Sequence, residues 1–356
     1  MENLFGNRLL SARKMAGISL QDLANQLNNE VTKQSLHKYE SGKMKPDSQL
    51  IIALAKRLGV SVDYFYSIPG FKVELSNISY RKYNSKISKS LQASIEEKAK
   101  ETFERYLELE AILNLNEERD YFKFDQIIKD SEDAENAAKE LRNNWKLGYD
   151  PIPDIAEMLE DKGYKVIEID APDGFDGMKA NIGKNQAIVL KKSKSDAEDM
   201  VRKRFTALHE LAHHSLKFSK NLSDREQENL CHTFASAVLY PEDMAKKEMH
   251  QDRFHFYQNE LVYIKERWGI SFPAIFNRAK QLGIINDYVF KRFNIGYKHR
   301  KLHLNEPGRF LSREKPVRLE RLIYIGLSKE AISINEAAFF SGKTVGEFRA
   351  QLMNLV

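Results

Sequence analysis

Cysteine is almost missing from this chain: Cys231 is the single one in 356 residues. A lone cysteine excludes an internal disulfide framework and fits a reducing compartment. Any metal site must therefore lean on histidine and carboxylates. No run of about eighteen apolar residues occurs, and the N-terminus MENLFGNRLL has no basic stretch leading into an apolar core, so neither a membrane span nor a signal peptide is indicated. A cytoplasmic location is expected, with no membrane partner. Internal repeats and low-complexity tracts are missing as well. The excess of 56 Lys and Arg over 51 Asp and Glu permits nucleic-acid binding and is too small to argue for it. What is present, 42% hydrophobic and 30% charged residues, is the composition of an ordinary soluble protein long enough for two or three domains.

From Asn3 to about Tyr66 short amphipathic segments alternate with sharp breaks. Gly17, Gly42 and Gly59 fall where helices must end, and Ser19, Thr32 and Asp47 sit where N-caps are wanted. That predicts a compact bundle of four to five helices over 1–67. Residues 68–125 read as a linker, with a strand near its start, and a heavily charged helix from Ser90 to about Asn116; Asp133 to Trp145 is a similar helix. Both read as solvent-facing with one apolar stripe. In 126–290, Ile152 to Gly163 reads as a helix, Tyr164 to Ile169 and Gln186 to Leu190 as strands, and Asp170 to Gly177 as turn. Two further helices, Asp196 to Lys217 and Asp224 to Tyr240, follow, the second stopped by Pro241. The rest, 291–356, reads as a C-terminal helical unit. Its basic run Lys291 to Lys301 reads as a solvated loop, and its Leu319 to Phe348 as packing helices with no second DNA site.

The chemistry concentrates at His209-Glu210-Leu211-Ala212-His213. Residues four apart share one face of a helix, so His209 and His213 can offer imidazole nitrogens to one cation. Glu210, beside the first ligand, can reach a water in the open coordination position. This is the content of the H-E-x-x-H pattern, in which zinc (Zn2+) lowers the pKa of its water and the Glu is general base toward a peptide carbonyl. The small and apolar residues Phe205 to Leu208 and Leu211-Ala212 suit a helix buried beside a cleft. For the third ligand the next helix offers Glu226, Glu228 and His232, and spacing alone does not choose among them.

Three pieces together resemble the ImmA/IrrE family of zinc metallopeptidases: Arg202 to His213, the block Glu228-Asn229-Leu230-Cys231-His232-Thr233-Phe234-Ala235 ending in Leu239-Tyr240-Pro241, and the upstream Trp145 with Pro151-Ile152-Pro153-Asp154. The resemblance implies His209, His213 and Glu228 as metal ligands and Glu210 as catalytic base, with Glu226 the second choice. It departs from the commonest pattern at Cys231-His232, where Ala-Asn is more usual, and at Tyr240. His232 is expected to support or pack against the site.

Residues 5–66 resemble the XRE family of repressor-like helix-turn-helix domains. Ser19 to Ala24 match the first helix of the motif and Thr32 to Gly42 the second. The resemblance implies a recognition helix in the major groove of double-stranded operator DNA, with Lys33, Gln34, His37 and Lys38 toward base edges and Gln21, Ser41, Lys43 and Lys45 toward phosphates. Glu40 is expected to brace the turn. A homodimer reading paired half-sites is expected on geometric grounds.

The expected fold class is multidomain and mainly α: an N-terminal helix-turn-helix bundle, a central α+β zincin-like unit with a small sheet, and the C-terminal helical unit. The expected function is a DNA-binding regulator whose metalloendopeptidase cleaves a repressor-like protein, or itself, to switch a stress, phage or mobile-element operon. The rival is a non-proteolytic transcription factor whose zinc domain is a sensor.

Overall fold

The computed structural model describes residues 3–28, 30–80, 88–115, 119–192 and 200–353. The chain falls into two compact units: Met1–Ser76, Lys82–Asn116 and Val317–Val356 form the first, Asn77–Arg81 and Glu117–Pro316 the second. Among the described residues it is mainly helical, with one small mixed sheet in the second unit.

The first unit opens with α1 (Leu4–Ala16), α2 (Leu20–Gln26), α3 (Lys33–Glu40) and α4 (Ser48–Leu58), followed by a single 3-10 turn. Each helix starts where a short polar side chain can take up a free amide: Asn3, Ser19, Thr32 and Asp47 accept from Gly6, Asp22, Ser35 and Leu50. Their apolar stripes meet in one core around Leu9, Leu23, Leu36, Leu54 and Phe65, all fully buried.

Helix α5 (Lys89–Ile112) corrects the solvent-facing reading of the charged segment. It packs along α1, and its acidic residues are partners: Arg8 donates to both carboxylate oxygens of Glu101 at 2.9 and 3.1 Å, and the Ser11 hydroxyl donates to Glu97 at 2.5 Å. Ser94 adds a bond to the Met15 carbonyl at 2.7 Å. These acids look solvated in sequence because their partners lie about ninety positions upstream.

The second unit holds a sheet in the order β1-β4-β5-β3, made from β1 (Leu75–Tyr80), β3 (Lys165–Ile169), β4 (Gly177–Ile182) and β5 (Asn185–Lys191). Strand β3 runs parallel to β5, and β4 antiparallel to it with Ala180 opposite Ala187. A two-residue parallel pair, β2 (Ile127–Ile128) with β6 (Lys217–Phe218), stands apart. Around these lie α6 (Ser131–Asn144), α7 (Ile155–Asp161), α8 (Met200–Ser215), α9 (Asp224–Leu239), α10 (Glu242–Met249), α11 (Gln258–Trp268), α12 (Phe272–Gln281) and α13 (Asp287–His299). The expected start of α8 at Asp196 lies outside the described residues. Strand β4 was not expected, and the basic run Lys291 to Lys301 is not a loop: α13 carries it to His299, with Phe293 stacked on Phe276 at 3.5 Å.

Helix α8 lies against β4, β5 and α9, and ten of its residues are buried. Its N-terminal half is fixed by Arg204, fully buried, which donates to Pro153 O at 3.0 Å, Ile152 O at 2.6 Å and the Glu314 carboxylate at 2.8 Å. Glu314 also accepts from the Ala156 amide at 2.7 Å. Three last helices, α14 (Arg318–Ser328), α15 (Ile334–Ser341) and α16 (Val345–Met353), return to the first unit, where α14 and α15 pack on α5.

Removing one member of a buried ion pair leaves a charge with no counterion in low dielectric, typically about 3–5 kcal/mol. Glu314→Ala should therefore lower the stability of the second unit by that order, read as a shift in its urea midpoint followed by the fluorescence of Trp145 and Trp268, whereas Glu101→Ala, in the first unit, should leave that transition in place.

Candidate metal centre and nucleic-acid interface

The structure brings His209, His213 and Glu228 together, with one ligand-capable atom of each lying within 4.8 Å of the others. The two imidazoles stand one turn apart on α8, and Glu228 faces them from the first half of α9. His209 Nε2 is 3.1 Å from Glu228 Oε2, His213 Nε2 is 3.4 Å from Glu228 Oε1, and the two Nε2 atoms are 3.2 Å apart. A tetrahedral cation with bonds of about 2.0–2.1 Å sets its ligand atoms roughly 3.3 Å apart. The donor set fits a metal of that kind by chemistry and by spacing alike. Burial pushes the Glu228 carboxyl up, but the bonds from His209 and His213 and the charge they carry when protonated outweigh it and hold the group well below its ordinary value. It is an anion ready to bind.

Glu226, the second choice, is not in this group. It closes the capping box of α9: its Oε2 accepts from the Ser223 amide at 2.8 Å and the Ser223 hydroxyl at 2.6 Å, and these bonds lower its carboxyl pKa. Two positions along a helix turn a side chain by about 200°, so the cap that fixes Glu226 outward sets Glu228 inward. His232 packs beside the site at a tilt, its ring 4.7 Å from that of His209 and 5.7 Å from Phe205.

Glu210 is fully buried on α8. Gly177 at the head of β4 lets this helix approach the sheet closely: a Cβ there would collide with Thr206 Cγ2 at 2.6 Å and press on Val189 O at 3.2 Å, while only touching Glu210 Cγ at 3.6 Å. Lys179, two residues on, donates to His213 O at 2.9 Å. Burial lowers its ammonium pKa, and the Glu210 carboxylate opposes that shift. Sequence reasoning passed over both, because β4 itself was not legible. His214 is turned to the sheet: its Nε2 lies 3.0 Å from Ala187 O, and burial lowers its pKa to about 4, so it is a neutral imidazole donating there. The Cys231 thiol, pushed up by burial, sits 3.7 Å from His213 Nδ1.

In the first unit, α3 buries Leu36, Tyr39 and Glu40 and leaves Lys33, Gln34, His37 and Lys38 exposed on the other side. Gln21, Ser41, Lys43 and Lys45 are exposed too. Gln21 is engaged with Asn25 Oδ1 at 3.0 Å, and the Ser41 hydroxyl with Lys38 O at 3.2 Å. Glu40 accepts two bonds from Arg13, at 2.6 and 2.9 Å, which takes the one acid of α3 off its exposed side.

Glu228→Gln should lower metal content at a fixed chelator concentration by at least tenfold, measured by inductively coupled plasma mass spectrometry. Glu226→Gln, which keeps an acceptor for Ser223, should leave it within twofold.

Two family models match this chain: residues 9–65 match one described as helix-turn-helix, and residues 159–280 match a peptidase model described as IrrE N-terminal-like domain. The chain is also 41% identical over 61 residues, 17% of its own length, to the SPbeta prophage-derived uncharacterized HTH-type transcriptional regulator YonR of Bacillus subtilis (strain 168). That match spans about half, 55%, of the relative's length. No described helix is long and apolar enough to cross a membrane. The chain thus joins a helix-turn-helix domain of the XRE type to an IrrE N-terminal-like domain of the metallopeptidase kind.

Proposed function

We propose that this protein is a cytoplasmic DNA-binding regulator with a zinc-dependent endopeptidase, which cleaves a repressor-like protein or its own chain to switch a stress, phage or mobile-element operon. The observation that carries the reading is the convergence of His209, His213 and Glu228 beside the buried Glu210. The likeness to a prophage regulator favours a phage or mobile-element setting.

Two imidazoles and one carboxylate are the ligand set of catalytic zinc, which leaves a coordination position open; a closed structural site would fill it. Bound there, zinc supplies Lewis acidity to a water and to the scissile carbonyl. Glu210 takes a proton from the water as its oxygen bonds to the carbonyl carbon, and returns it to the leaving nitrogen as the C–N bond breaks. Lys179, tied to the His213 carbonyl, fixes the end of α8 that presents the second imidazole. His232, whose ring leans at 38° on that of His209, limits the rotation of that imidazole. A sensor would have no use for a carboxylate in the position of Glu210.

On the DNA side, Lys33, Gln34, His37 and Lys38 are assigned to base edges, and Gln21, Ser41, Lys43 and Lys45 to phosphates of a double-stranded operator. Two copies of the chain would read its half-sites.

Glu210→Gln should keep its metal and its DNA affinity and lose about 10²- to 10⁴-fold in cleavage of fluorescein-labelled casein or of itself, followed by mass spectrometry. Cleavage at the unchanged rate would defeat the peptidase reading. Lys43→Ala with Lys45→Ala should weaken binding to all duplexes alike and flatten the slope of log K against log salt by roughly 1–2, while Gln34→Ala should relax sequence preference at about 1–3 kcal/mol. Fluorescence anisotropy at several salt concentrations separates the two.

A further inference from the structure

Strand β4 has β5 on one side and β1 on the other, so without β1 it would be the edge of the sheet. A cleft of about 630 Å³ opens at this edge, and its walls include Asn77, Ile78 and Ser79 of β1, Lys179 of β4, Lys217 of β6, and His213. The same cleft therefore holds the outer strand of the sheet and one of the metal-binding imidazoles. An extended peptide adding to a sheet edge gains main-chain hydrogen bonds whatever its sequence. On β4 that position is filled by the chain itself.

The filling strand is weakly held. Among Leu75 to Ser79 no residue is buried, whereas Gly177, Met178, Ala180 and Ile182 of β4 all are. Asn77 has φ 50°, a left-handed residue in the middle of a strand, which interrupts a regular ladder. Among the described residues the cleft is lined by Lys123, Lys179 and Lys217 and by no carboxylate, and the neutral run Leu-Ser-Asn-Ile-Ser-Tyr offers those cations no anion. The boundary between the compact units also falls inside β1, after Ser76. A strand with no buried side chain from Leu75 to Ser79, a break at its centre and no charge match is easily exchanged for another.

We infer that β1 is a resident, displaceable occupant of the peptide-binding edge of β4: the site takes its substrate as an extended strand, and β1 must leave that edge before the substrate can reach His213 and Glu210. This rests on the peptidase reading, and the experiment below separates the two. It uses the full chain loaded with zinc, as wild type and as Ile78→Pro with Ser79→Pro, since adjacent prolines remove the amide that faces the ladder whichever of the two it is. An acidic tripeptide hydroxamate serves as the probe, its affinity is taken by isothermal titration, and exchange of the β1 amides is followed by mass spectrometry. The double variant should bind the probe at least tenfold more tightly and cut labelled casein at least tenfold faster. In the wild type, where no substitution can disturb folding, saturating probe should raise exchange at Asn77 to Ser79. Equal affinity within twofold, β1 protection unchanged at saturating probe, or no binding to either protein overturns the inference. Displacement of β1 by the probe with casein cut by neither protein would uphold the occupancy and sink the peptidase reading instead.

Discussion

Two imidazole nitrogens 3.2 Å apart, with a carboxylate against both, form a demanding arrangement for a protein interior. Imidazole N–H groups can donate to the two Glu228 oxygens at this spacing, and the same nitrogens, once free of their protons, are spaced as ligands of one cation. Much of the second unit serves to keep this cluster in place. Helix α8 is pressed on the sheet by its small and apolar residues, α9 is set in phase by its capping box, and Gly177 leaves out a side chain where Thr206 needs the space. Arg204 and His214 anchor the two ends of α8 by bonds that leave the His209, His213 and Glu228 atoms of the candidate metal centre untouched.

The first unit solves a different problem. The role proposed for α3, facing an anionic duplex, asks for a helix that is polar and free of acids outside and well anchored inside. Thr32 starts α3, Leu36 and Tyr39 fix its inner side, and Arg13 folds Glu40 away from the surface. The same Arg-to-Glu device recurs between Arg8 and Glu101, where it binds α1 to α5.

How much of this was legible in the sequence depended on the range of the interactions. Local signals, the N-caps at Ser19 and Thr32, the stop before Pro241 and the spacing of His209 and His213, were readable because the physics that sets them acts within one or two turns. Glu228 could not be chosen over Glu226 by period alone; the difference is the Ser223 cap, a local bond visible in hindsight as Ser-x-x-Glu. Strand β4 escaped because Gly-Met-Lys-Ala-Asn-Ile has a single β-branched residue and is a strand chiefly through its pairing with β5. The acids of α5 look like solvent-facing charge until their partner Arg8, far upstream, is known; in the basic run of α13 the lysines are exposed, and it is the stack of Phe293 on Phe276 that ties the helix down.

Arg204 sits within the span that matches the peptidase model, 159–280, while its counterion Glu314 lies more than thirty residues past its end. Phe310, under the guanidinium at 4.4 Å, comes from the same late stretch. The unit that evolution can copy, graft or lose is therefore larger than the stretch that comparison recognises. A gene fragment cut at the end of the match would carry His209, His213 and Glu228 and yet leave the buried Arg204 guanidinium without its ion-pair partner and without the ring it lies over. A transplanted module that keeps Arg204 keeps its buried ion pair only if the chain through Glu314 travels with it.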